Sequence, residues 1–209
     1  MQKILIVSHC LLNTASKVER FKEESVRSEE QLRREVLREA VDSGVQLLQL
    51  PCPEFVMYGS LRWGHTYEQF DNTFYRSRCR ELLEPVVQQL KEYMADKERF
   101  RILGILGIDG SPSCGVRYTC RGQWGGEFGG RDLEPVLKDV RLEKGQGVLM
   151  EVLGEMLSEN GLELPMEGLF AREPQRALEL LKKIKDGGTG MAEIRLENVS
   201  KIIWVCEDH

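Results

Sequence analysis

Three short apolar runs, each ending at a cysteine-bearing turn, leave this chain few folds to adopt. They are Gln2–Val7, Val45–Leu50 and Phe100–Ile108, all rich in isoleucine, valine or leucine. Between the first two, residues 24–43 place Leu32, Val36, Leu37, Ala40 and Val41 at helical spacing, and Gly44 supplies a stop. Between the second and third, residues 72–96 gather Leu83, Val86, Val87, Leu90 and Met94 on one helical face, with Pro85 expected to kink or split the element. Strands without a polar face, alternating with helices, predict parallel pairing. The expected fold class is α/β: a doubly wound, mostly parallel, Rossmann-like sheet with helices on both faces.

Beyond the third run, five glycines between Gly122 and Gly130 exclude a regular element. A helix is expected over 147–160, a strand over 164–170, an amphipathic helix over 173–185, a loop at 186–190 and a last strand over 201–206. Residues 1–140 read as the core, and 141–209 as an extension that completes the same domain.

Composition narrows the function classes. Of 209 residues, 41% are hydrophobic and 30% charged, with both signs mixed, which suits a folded chain and not a disordered one. The formal net charge of -5 argues against stable nucleic-acid binding, although a single nucleobase or nucleoside needs only a pocket. No stretch approaches the ~20 apolar residues of a membrane span, and the first run is too short for a signal peptide. A cytoplasmic monomer or small homo-oligomer is expected, with no membrane partner. In that reducing setting the six cysteines are better read as metal-binding or catalytic than as disulfides.

Cys10, Cys52 and Cys114 each follow a predicted strand, and ligands of doubly wound sheets sit beyond the strands' carboxyl ends. The motifs are Ser8-His9-Cys10-Leu11-Leu12-Asn13, Pro51-Cys52-Pro53-Glu54 and Gly110-Ser111-Pro112-Ser113-Cys114-Gly115. Prolines on both sides of Cys52 stiffen its turn, and Gly115 lets the backbone pass close to a bulky group. The residues alone leave two readings open: a shared metal site, or three unrelated buried thiols. Glu54 equally suits a helix N-terminus, and Ser111 and Ser113 suit turns.

The three motifs together, in this order and at these spacings, resemble the TudS-type desulfidase family, which includes the 2-thiouracil desulfidases; the likeness spans roughly residues 3 to 140. The resemblance implies a 4Fe–4S cluster held by Cys10, Cys52 and Cys114, with one iron open to the thiocarbonyl sulfur of a small thiolated substrate. It implies Glu54 and Ser111 as the catalytic acid/base residues. Ser8, His9 and Ser113 are the substrate contacts expected from the same motifs. The implied reaction is non-redox removal of sulfur from a thiolated nucleobase, nucleoside or similar thiocarbonyl compound, with release of sulfide. His9 stands where the family carries a small residue, a departure that bears on substrate choice and not on cluster binding.

The competing class is a cluster- or zinc-bearing module that binds or senses sulfur species without turnover. Among weaker signals, Tyr58, Trp63, His65 and Tyr67 either stack on a planar base or pack, and Arg62 either meets an anionic substrate group or serves the fold. The 122–131 segment, with Trp124 and Phe128, is either a lid or an ordinary loop. Cys79 reads as core, and Cys120 is the one spare ligand candidate.

Overall fold

The computed structural model describes residues 1–185, so the loop expected at 186–190, the strand expected at 201–206 and Cys206 lie outside the described residues. Strand β1 (Gln2–Val7) leads through the single-turn α1 (His9–Leu12) to the long α2 (Glu23–Asp42) and β2 (Val45–Gln49). Two short helices, α3 (Pro53–Tyr58) and α4 (Tyr67–Phe70), precede α5 (Thr73–Ala95) and β3 (Phe100–Ile108). Then come β4 (Tyr118–Arg121), α6 (Glu134–Asp139), β5 (Arg141–Lys144), α7 (Val148–Glu159), β6 (Met166–Leu169) and α8 (Pro174–Lys185).

The main sheet has the order β2-β1-β3-β6, and every pairing in it is parallel. Its central strands β1 and β3 are buried on both sides, so alternate residues feed two separate cores. Ile6 and Ile105 point to the side covered by Leu83, Val86 and Leu90 of α5 and by Val152 and Leu153 of α7. Leu5, Val7 and Leu106 point to the other side, covered by Leu32, Val36 and Ala40 of α2 and Ala177 of α8. This is the doubly wound α/β fold that the alternation of strands and helices predicts. Among the described residues, no helix is long and apolar enough to cross a membrane.

One local expectation needs correction. Helix α5 is neither split nor ended by Pro85. That residue lies on the exposed side, where the carbonyl freed by its missing N–H can meet water, while Leu83, Val86, Val87 and Leu90 stay buried. The glycine-rich stretch 122–130 holds no regular element, as expected, but two strands that the sequence did not reveal flank it: β4 and β5 form a separate antiparallel pair, Tyr118 opposite Lys144 through Arg121 opposite Arg141. These strands are four residues each and largely polar, so no periodicity marks them.

Strand order reverses between β1 and β3. The chain first builds outward to β2, then crosses back over β1 to lay β3 on its far side. Loops that leave such a pair diverge and open a crevice at its carboxyl end. Cys10 and Cys114 follow these two strands.

The crevice depends on close backbone approaches. A side-chain carbon on Gly107 would collide with the carbonyl of Cys114, and one on Gly168 with the Asp109 carboxyl group. Gly129 has open space around it. Gly168→Ala is therefore expected to lower the melting temperature by roughly 3–10 °C, since overpacking of this kind costs about 1–3 kcal/mol. Gly129→Ala should leave it unchanged, as thermal denaturation followed by circular dichroism would show.

Candidate active site

Each of the three turns is built by local hydrogen bonding. After β1, the Ser8 carbonyl accepts the Leu11 N–H at 3.0 Å, which starts α1 and puts Cys10 in its single turn. After β2, the backbone N–H of Leu50 still donates to Val7 at 2.8 Å, and Cys52 then caps α3, its sulfur accepting from the Phe55 N–H at 3.4 Å. Pro53 occupies the first helical position, where its missing N–H costs nothing, and Glu54 follows in the first turn. After β3, Ser111 Oγ accepts the N–H groups of Ser113 (3.2 Å) and Cys114 (2.9 Å). Asp109 Oδ1 accepts those of Val116 and Arg117, both at 2.8 Å. The N–H of Val148, opening α7, donates to the Pro112 carbonyl at 2.9 Å, which seats the loop on that helix.

The three turns meet at one cavity of about 290 Å³. Cys10, Cys52 and Cys114 all line it, together with Glu54 and Ser111. The Cys10 and Cys114 thiols face each other closely enough to couple: Cys114 lowers the pKa of Cys10, while Cys10 and burial raise that of Cys114. Burial pushes the Cys52 thiol up to about 11. None of the five described cysteines is in a disulfide. Among the described residues, no three His, Cys, Asp or Glu side chains are gathered closely enough for a single metal ion.

Glu54 is largely buried, which raises its pKa, and Arg62 opposes that shift. Arg62 Nε lies 3.3 Å from Glu54 Oε2, while its other nitrogens donate to the carbonyls of Gly59 (2.8 Å) and Ser16 (2.7 Å). The guanidinium thus joins the turn after α1 to the segment after α3, and its partners are parts of the chain itself. Across the cavity, Glu29 of α2 pairs with Lys17 and with Arg20 at 2.9 Å. Both cations lower the Glu29 pKa against the upward pull of burial.

Three residues of the motifs stand off the cavity wall. Ser8 is fully buried, and its hydroxyl has no hydrogen-bond partner among the described residues. His9 Nδ1 lies 2.8 Å from Gln49 Nε2, and burial lowers its pKa. Ser113 is fully buried and accepts from the Tyr75 hydroxyl at 2.9 Å. Cys79 and Cys120 are also buried away from the cavity. Among the aromatics, Tyr67 is buried with its hydroxyl on Glu151, and Tyr58 stacks towards Phe70 and Tyr75. Sequence reading did not find the wall formed by Lys17, Arg20 and Glu29, nor the Asp109 clamp. The only signal of Lys17, Arg20 and Glu29 is charge within segments rich in charge, whereas Asp109 is the one charged residue between Arg101 and Arg117, directly after an apolar strand.

Residues 2–183 match the family described as "Putative 2-thiouracil desulfurase". An uncharacterized protein of Methanocaldococcus jannaschii is 35% identical over 115 residues, which cover 55% of this chain and 69% of that relative. No solved structure matches the chain.

Arg62 is 4% exposed, so removing its charge strands a buried carboxylate and two backbone carbonyls. Breaking one side of a buried pair costs about 3–5 kcal/mol. Arg62→Met is therefore expected to lower the melting temperature by of order 10 °C. The double variant Arg62→Met/Glu54→Gln should recover part of that loss, a double-mutant cycle read by chemical denaturation.

Proposed function

The chain belongs to this 2-thiouracil desulfurase family, and from that premise we propose that it removes sulfur from a thiolated nucleobase, nucleoside or similar small thiocarbonyl compound by a non-redox, cluster-dependent route. The family's description supports a sulfur-removing enzyme. The observation that carries the finer reading is that three thiols from three separate strand ends share one cavity with a buried carboxylate and a hydroxyl.

The donor set fits a 4Fe–4S cluster. Three thiolates serve three irons and leave the fourth open. The buried Ser8 hydroxyl, two residues from Cys10 and without a partner, is a donor available to such a group. When bound, the cluster supplies a Lewis-acidic iron for the thiocarbonyl sulfur.

The chain's own residues supply the rest. Overall, C=S and water become C=O and hydrogen sulfide, so no electrons are exchanged. Glu54 Oε2 faces Arg62, which leaves Oε1 to take the proton of the attacking water and later return it. Ser111 Oγ already accepts two backbone N–H groups, so its remaining function is to donate its own proton towards the cavity. Cys10, Cys52 and Cys114 would hold the cluster, and Ser113, bonded to the Tyr75 hydroxyl, anchors the turn that carries Cys114.

Anaerobic reconstitution of the full chain is expected to give a brown protein with about four irons per chain that releases sulfide from 2-thiouracil or a related compound. Glu54→Gln should keep iron and spectrum but lose turnover by about 10²–10⁴-fold. A protein that stays colourless and iron-free after reconstitution defeats the cluster. One that loads iron but turns over nothing, with or without Glu54, is a binding or sensing module instead.

A further inference from the structure

A second, smaller cleft of about 180 Å³ opens beside the first and shares His65 with it. Its walls are aromatic: Trp63 from the segment after α3, and Trp124 and Phe128 from the glycine-rich segment. Phe128 lies between the two indoles, 6.0 Å from Trp63 and 6.2 Å from Trp124, tilted by 58° and 52°. These rings are not core. Trp63 is 71% exposed and Phe128 54%, in contrast to Phe70 and Tyr75, which are fully buried and stacked at 4.2 Å. Gly125 adds no side chain to the cleft and has open space where one would stand. Polar groups are confined to its margin, at His65, Gln69 and Arg131.

The cleft is held in place. Thr66 Oγ1 donates to the Gly122 carbonyl at 2.9 Å, and the Gly122 N–H donates to Glu68 at 3.0 Å, so the end of the Trp63 segment is tied to the start of the Trp124 segment. The Gln123 N–H donates to Asp139 at 2.8 Å, and Arg131 donates to the Gly125 carbonyl at 2.8 Å. Aromatic walls with polar groups at the margin suit a planar heteroaromatic ring, which offers π-faces to the walls and hydrogen-bonding atoms at its edge. The volume suits one ring and little more.

We propose that Trp63, Trp124 and Phe128 form a second ring-binding subsite, adjoining the reaction cavity at His65, which makes the enzyme select thiolated substrates that carry a second planar ring. This rests on the desulfurase reading for the chemistry in the first cavity; the ring site itself does not. The reacting ring occupies the larger cavity, and the second ring leaves it past His65 to enter the aromatic cleft. Binding energy from that remote ring then lowers KM without altering the chemical step.

The test uses the full reconstituted chain and three substrates with the same thiolated base: a nucleoside, the nucleoside bearing a ribose-linked phosphodiester without a second base, and a dinucleoside monophosphate. Base–aromatic stacking predicts a KM about tenfold lower for the dinucleoside than for both others. Trp63→Leu or Trp124→Leu should remove that advantage while kcat and the nucleoside's KM stay as they were. Tryptophan fluorescence should be quenched more strongly by an unthiolated dinucleoside monophosphate than by uridine, and this arm needs no turnover. Equal KM for the dinucleoside and the baseless phosphodiester, with no extra quenching, overturns the proposal. So does a dimer in solution that Trp63→Leu dissociates, which would assign the aromatic surface to a second copy of the chain. Absence of sulfide from every substrate would sink the desulfurase reading while the quenching still decides the ring site.

Discussion

Asp109 Oδ1 accepts three backbone N–H groups and Ser111 Oγ accepts two more, so the turn after β3 is closed by its own side chains. The fixed direction of Cys114 follows from that closure. The Ile108 N–H donates to the Cys114 carbonyl at 3.0 Å, which folds the turn back on the strand that launched it, and α7 takes up the Pro112 and Ser113 carbonyls from below. Glycines at 107, 115, 147 and 168 bring these backbones closer than any side chain would permit. A site assembled this way has little left to reorganise when a ligand arrives, which is what precise positioning of reacting groups requires.

Electrostatics reinforce the same arrangement. Two groups of charges at the cavity are matched before any substrate enters: Arg62 by Glu54, and Lys17 and Arg20 by Glu29. Such buried pairs contribute little net stability, because desolvation offsets attraction, but separating them is costly. Their consequence is therefore geometric. Arg62 holds Glu54 while bonding backbone from two other segments, and Glu29 holds the 17–20 segment against α2. The turn after α1, which has no strand to support it, gains a fixed position by these ionic ties.

The sequence makes the frame legible because burial on both faces of a parallel sheet leaves an unmistakable pattern: Ile4–Val7 and Ile105–Ile108 are apolar without interruption. Strand ends then locate Cys10, Cys52 and Cys114 without any coordinates. Pro85 misleads because its cost depends on whether the helix face is wet, a tertiary fact. Strands β4 and β5 escape notice because four-residue polar strands carry no periodicity. The partner of Glu54 is hidden for another reason: Arg62 lies eight residues on, beyond the end of α3, where no helical spacing links the two.

Placing the three thiols on three strand ends, and not in one loop, has a further physical consequence on the proposed reading. Ligands spaced along a single short loop are gathered by the metal, so that metal binding and folding are one event. Here the thiols are gathered by the β2-β1-β3 pairing and by the helix caps around them, all of which use the chain's own hydrogen bonds. Folding energy, not cluster binding, would then bring Cys10, Cys52 and Cys114 to one cavity, and a cluster would enter a site whose turns are already fixed by the chain's own bonds.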